Sequence, residues 1–165
     1  MTAAATSSLI ESGVATIRAA GITRCVAPAP GAPRELTSEN IERIDRIFAA
    51  ESVEAIFAAL EADGTDWARA QLATLRTKSP QTLKVGFRQL REGARVASFA
   101  DEMVREYRIA CRVVARHDFL EGVRALIVDK DNAPQWNPAT LSGVSDAMLD
   151  EIFAPLSAGE EWKPA

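Results

Sequence analysis

Only two cysteines occur in the 165 residues, Cys25 and Cys111, far apart and with no Cys-x-x-Cys pair at either. That scarcity excludes a disulfide framework. With a single histidine, His117, the chain also lacks the Cys/His spacing of a zinc site. A reducing compartment, the cytoplasm, is the expected address. No apolar run nears the roughly 20 residues that a membrane-spanning helix needs, so no membrane role is expected. Basic residues are not in excess either. The 19 Lys and Arg stand against 23 Asp and Glu, a net charge of −4, which argues against a partner made of nucleic acid phosphates.

What is present is ordinary globular composition, 47% hydrophobic and 25% charged, arranged with helical periodicity. Leu9, Val14 and Ile17 predict an N-terminal helix over residues 1–24, with Gly21 placed to end it. The Ala- and Ser-rich composition there, with Arg18, faintly resembles a transit peptide, but Glu11 and the regular apolar spacing favour a helix. Pro28, Pro30 and Pro33 with Gly31 then make residues 25–36 an extended linker, because closely spaced prolines block helix continuation.

Residues 37–158 read as one helical domain, and the fold class is all-α. Ile41, Ile44 and Phe48 recur at helical spacing, as do Val53, Ile56, Phe57 and Leu60 after a capping Ser52. Asp63-Gly64-Thr65 breaks the pattern, and a third helix carries Ala68, Leu72 and Leu75. Ser79-Pro80 is a strong start, since serine caps and proline at the first position gives up only an N–H that had no partner. Leu83, Phe87 and Leu90 are expected to face inward up to Gly93. A long helix from Phe99 to Arg116 should bury Phe99, Met103, Tyr107, Cys111 and Val114. The apolar run in ALIVDK is read as helix rather than strand. Ser145 caps a last short helix around Met148, Ile152 and Phe153, and residues 159–165 are expected to fray.

Two runs carry a resemblance: SPQTLKVGFRQLREGA from Ser79, and EMVREYRIACRVVARHDFLEGVRALIVDKDNAPQWNPATL from Glu102. They resemble the C-terminal part of the 3-hydroxyisobutyryl-CoA hydrolase family, a branch of the crotonase superfamily that acts in valine breakdown. HDF-x-EGVRA followed by DKD-x-x-P-x-W is specific to that branch. A weaker likeness reaches back through ENIERIDRIFAAESVEAIFAALEADG, leaving Met1 to Leu36 outside it. The resemblance implies thioester cleavage by a glutamate with an acidic partner and two backbone N–H groups, all carried by a spiral core of ββα repeats. No Gly-rich oxyanion segment and no strand-rich region precedes Thr37. The expectation is therefore a chain with no catalytic residue of its own, inactive alone, with a core chain as partner or a homo-oligomer as its assembled form. It would be either an expressed fragment or a natural truncated product. The initial methionine and the segment outside the likeness favour the latter.

In the wider superfamily, C-terminal helices supply a lysine and an aromatic residue to the adenine end of coenzyme A. By that resemblance Lys130 and Trp136, with Arg124 as a second phosphate contact, are the candidate CoA-binding residues. Stacking and a phosphate contact suit these residue types. Lys84, Arg88, Arg91 and Arg95 form a basic stripe whose default role is a solvated face, with CoA phosphates the sharper use. Asp118 and Glu121 invite a paired-carboxylate reading, but an acid followed three later by Glu at a helix start is better read as a capping box. His117 is placed at the end of the long helix, where an imidazolium favours the carbonyl end of the dipole. Rival roles are a stand-alone helical interaction or oligomerisation module and, far behind, a nucleic-acid binder using Arg88, Arg91 and Arg95.

Overall fold

The computed structural model describes residues 37–163 and, of those before them, the backbone of two short strands. These strands, β1 (Ala15–Ala19) and β2 (Ile22–Val26), pair antiparallel with Ala15 opposite Val26 and Ala19 opposite Ile22. Strand thus stands within the span expected to be an N-terminal helix. The local reason is β-branching at Thr16, Ile17, Ile22, Thr23 and Val26, which suits a pleated backbone. Gly21, the rest of the 1–24 span and the linker beyond Val26 lie outside the described residues.

Among the described residues everything from Ser38 onward is helix and connecting loop, in agreement with the all-α reading. Helix α1 (Ser38–Phe48) is capped by Thr37, whose hydroxyl accepts from Asn40 N at 3.1 Å. The chain divides into compact units after Ala50, with α1 in the first and the helices that follow in the second. The second unit begins with α2 (Val53–Asp63), whose Ser52 hydroxyl accepts from Ala55 N at 3.0 Å, and Gly64 ends that helix at φ 61°. Helix α3 (Asp66–Arg76) is capped by Thr65, α4 (Pro80–Gly93) by Ser79 and α5 (Phe99–Val113) by Ser98. Helix α6 (His117–Val123) runs on into a π-turn, Arg124–Val128, before a 3₁₀ turn, Leu141–Gly143, and α7 (Asp146–Phe153), capped by Ser145. Each cap satisfies an N–H that the helix itself leaves open.

Helix α2 packs on α3 and α4, while α7 lies against α4 and α5. Val53, Ile56 and Leu60 are buried, as their spacing requires. The core between α4, α5 and α7 consists of Val85, Ile109, Val144, Leu149 and Ile152, flanked by Val113 and Phe153. Each such side chain contributes roughly 1.5–3 kcal/mol on burial.

Two inward faces fall elsewhere than the sequence predicts. On α4 it is Val85 that is buried, Leu83 and Phe87 are half-covered, and Leu90 is 75% exposed. On α5, Ile109 is buried while Phe99, Tyr107, Cys111 and Val114 are exposed. The helix turns the row through Ile109 and Val113 toward the buried cluster, and the expected stripe lies on another side of the cylinder. The same helix ends at Val113 and not Arg116, so His117 opens α6 instead of closing α5.

The basic stripe is largely consumed inside the unit. Lys84 pairs with Glu54 at 2.7 Å and donates to the Val144 carbonyl at 3.3 Å. Arg88 pairs with Glu92 at 2.6 Å and Asp150 at 2.7 Å, its guanidinium 4.4 Å above the Phe153 ring. These residues tie α4 to α2 and α7 and are not a solvated face. Within the terminal segment Glu161 is tied back to the helical unit. Glu161 takes Arg108 Nε at 2.8 Å and Leu156 N at 2.8 Å, and Pro164 and Ala165 lie outside the described residues.

Candidate functional site

The motif that carries the resemblance folds as a closed hydrogen-bonded unit. Helix α6 starts after Arg116 with no side-chain cap, so the Asp118/Glu121 pair does not form the expected capping box. Its two carboxylates reach across to other segments. Asp118, 5% exposed, accepts from the Ser79 hydroxyl that caps α4, and from Asn137 N at 2.8 Å. Glu121 accepts from Gln135 N at 2.7 Å and holds Arg124 through both oxygens at 2.8 and 2.9 Å. His117 Nε2 donates to the Gln135 carbonyl at 2.9 Å. One face of a short helix therefore clamps residues 135–137, and paired-carboxylate catalysis finds no free acid there.

Arg124 is the hub. Beyond Glu121 it pairs with Asp129 and Asp131, each at 2.7 Å, and donates to the Ala133 carbonyl at 3.4 Å. A guanidinium has five N–H donors in a fixed fork, and these contacts occupy them all. Arg124 thus holds the loop and has no donor left for a phosphate. The Glu121 and Asp131 hydrogen bonds push the guanidinium pKa up. In return, Arg124 and the Gln135 amide hold Glu121 down at about 2, and Arg124 with the Ala133 amide lowers Asp131.

The loop so fixed contains two non-glycine residues in the left-handed region, Lys130 at φ 56° and Asn132 at φ 53°. Such a conformation costs a lysine on the order of 1 kcal/mol, which the surrounding network offsets. Asn132 N donates to the Ala125 carbonyl at 3.1 Å and Ala133 N to Asp131 at 2.9 Å. Lys130 is exposed at the tip, and its ammonium forms no ion pair among the described residues. Trp136 donates its indole N–H to the Thr77 carbonyl at 3.0 Å. The indole packs over Gly122, where a Cβ would stand 3.5 Å from its Cη2, ordinary contact distance. Trp136 is half-buried and anchors the turn onto α6 and the end of α3.

Of the three candidate CoA-binding residues, Arg124 opens the π-turn while Lys130 and Trp136 lie on the loop that follows it, and only Lys130 is untied. Sequence reasoning missed Asp129, Asp131, Gln135 and Asn137 as partners. The doubled Asp around Lys130, five and seven residues beyond Arg124, was the available signal. A separate open groove of about 210 Å³ is lined by Gln81, Thr82, Val85, Gly86, Gln89, Ile109 and Val113, with no residue of the motif in it. Among the described residues no His, Cys, Asp and Glu cluster fits a metal, and no helix is long and apolar enough to cross a membrane.

Comparison with known proteins follows the same stretch. The enoyl-CoA hydratase/isomerase family model matches residues 3–153, so the likeness takes in most of the segment that the sequence reading left outside it. The chain is 47% identical over 118 residues to a mitochondrial 3-hydroxyisobutyryl-CoA hydrolase of Danio rerio, covering 72% of this chain and 31% of that protein. Among solved structures, a carnitinyl-CoA dehydratase of Mycobacterium thermoresistibile is 33% identical with a TM-score of 0.69, covering 81% of this chain and 37% of that one. An enoyl-CoA hydratase of Rhodobacter sphaeroides is similar at 32% identity and a TM-score of 0.69, covering 82% and 39%. The chain thus spans about a third of the length of the curated relatives it matches.

Proposed function

Because this chain belongs to the enoyl-CoA hydratase/isomerase family, we propose that it is the helical portion of a 3-hydroxyisobutyryl-CoA hydrolase-like protein of valine catabolism. It supports acyl-CoA thioester hydrolysis only together with a catalytic core. The observation that carries this reading is the occupation of the motif's own acids and base. Asp118, Glu121 and His117 are all spent on holding residues 135–137. A general acid or base must be directed at substrate, and both carboxylates are directed instead at segments of this chain, Asp118 at Ser79 and Asn137, Glu121 at Arg124 and Gln135.

Within that reading Lys130 is the CoA contact. It stands on a rigid turn in an exposed position, where a compact ammonium suits a phosphate. Trp136 flanks it as an anchor, and Arg124 fixes the turn. The proposed address is a reducing compartment, the cytoplasm, on the ground of two widely spaced cysteines. The zebrafish relative is named mitochondrial.

A thiol-release assay with 3-hydroxyisobutyryl-CoA tests the division of labour. The full chain alone is expected to release no CoA, and turnover by it would overturn the proposal. The rival, a stand-alone oligomerisation module, draws on exposed Phe99, Leu126 and Ile127. A monomer by light scattering at high concentration counts against it.

A further inference from the structure

The open groove between α4 and α5 takes its walls from one face of each helix. Thr82, Val85, Gly86 and Gln89 stand at i, i+3, i+4 and i+7 on α4, and Ile109 and Val113 at i and i+4 on α5, spacings that put each set on a single face. The floor is aliphatic. Val85 and Ile109 are 6% and 7% exposed, and the space beside them is open at Gly86, where a Cβ would meet nothing within 4 Å. A glycine inside a helix costs stability. Among the described residues nothing packs into the room that this one makes.

Gln81 supplies the polar end. It lines the groove at 5% exposure, yet its carboxamide exchanges no hydrogen bond with any described residue. A buried amide left unpaired costs free energy, and a ligand that meets it removes that cost. Gln89 Nε2 donates to Glu106 at 3.3 Å, which leaves the Gln89 side-chain oxygen open, and Thr82 adds a hydroxyl. No charged side chain lines the groove. A carboxylate or ammonium entering it would lose water and find no counter-charge. A neutral amide fits, because its donor and acceptor lie side by side, as those of a glutamine do. The volume, about 210 Å³, falls below the ~300–1,000 Å³ of drug-sized sites, so the occupant is small. Side chains from two helices make the floor broad, which suits a branched group over a linear one. We propose that this groove binds a small neutral amide, its branched aliphatic group on Val85, Ile109 and Val113 and its amide paired with the Gln81 carboxamide. The site shares no residue with the Arg124–Trp136 loop and goes beyond the functional reading without resting on it.

The test titrates the full chain, labelled with nitrogen-15, with isobutyramide. Saturable binding in roughly the millimolar range is expected, with resonance shifts confined to the Gln81 side-chain amide and the backbone amides of residues 82–89 and 109–113. Acetamide, which lacks the two methyl groups, should bind roughly tenfold more weakly. Isobutyrate has the same shape and a charge, and should also bind roughly tenfold more weakly or worse. Gln81→Leu keeps the volume and removes the partner, and should weaken isobutyramide binding roughly tenfold. Gly86→Leu fills the groove and should abolish binding, with the thermal midpoint held or raised because a helix former replaces glycine. Should circular dichroism show Gly86→Leu misfolded, Gly86→Ala takes its place, with a smaller loss of binding expected. Shifts that do not saturate or that scatter over the surface overturn the site. So does isobutyrate binding as tightly as the amide, or binding left unchanged by Gln81→Leu or by a folded Gly86→Leu.

Discussion

Asp118 and Glu121, three residues apart on one face of α6, hold the amides of Asn137 and Gln135, two residues apart on the returning loop. Removing Asp118 leaves the Ser79 hydroxyl and the Asn137 N–H without their acceptor at a site 5% exposed. Asp118→Ala is therefore expected to cost about 2–3 kcal/mol, visible as a lowered thermal midpoint and faster exchange of the Asn137 amide. Asp118→Asn keeps one acceptor oxygen and should lose less.

The clamp is also pH-dependent in a definite direction. Glu121 lies at about 2 in the folded chain against an ordinary 4.5, chiefly through the Arg124 hydrogen bond and then the Gln135 amide. A carboxyl lowered by folding contributes stability that is fully present above its unfolded value and is lost as protons bind. The contribution should thus be intact above pH 4.5 and vanish between pH 4.5 and 2, with Asp131 acting in the same sense. Glu121→Gln should flatten that limb of the stability profile measured by denaturant titration.

Gly122 permits a prediction of opposite sign. A methyl there would meet the Trp136 ring at 3.5 Å, ordinary contact distance, while relieving the helix of glycine's backbone freedom. Gly122→Ala should stabilise the chain by roughly 0.5–1 kcal/mol. Gly122→Leu should displace the indole and shift its N–H resonance as the bond to Thr77 is lost.

Much of this was legible beforehand. Ser52, Ser79 and Ser145 announced three helix starts correctly, since a capping hydroxyl acts on its own next turn and needs no distant partner. The Asp63-Gly64-Thr65 break was readable for the same local reason. The inward faces of α4 and α5 were not, because periodicity gives the existence of an apolar stripe and not which neighbour claims it. Phe99 and Tyr107 recur at the right spacing and still lie outside. The capping-box reading of Asp118 failed similarly. The same residue spacing serves a cap or a long-range clamp, and only the position of residues 135–137 distinguishes them.

For coenzyme A itself, Lys130→Ala should weaken binding to the assembled protein roughly 5–10-fold, with a shallower dependence on salt. Calorimetry across ionic strengths measures both. Arg124→Lys is expected to act differently, lowering stability because a point charge cannot replace a fork that grips three carboxylates.

The π-turn at Arg124–Val128 makes the number of residues in this stretch matter as much as their identity. Deleting one of Ala125 to Val128 would let the backbone rewind to ordinary α pitch and swing every later side chain by about 100°. Asp129 and Asp131 would then sweep out of the arginine's grasp. A single-residue deletion here is a change of angular setting, and it should dismantle the turn more thoroughly than any single replacement within it.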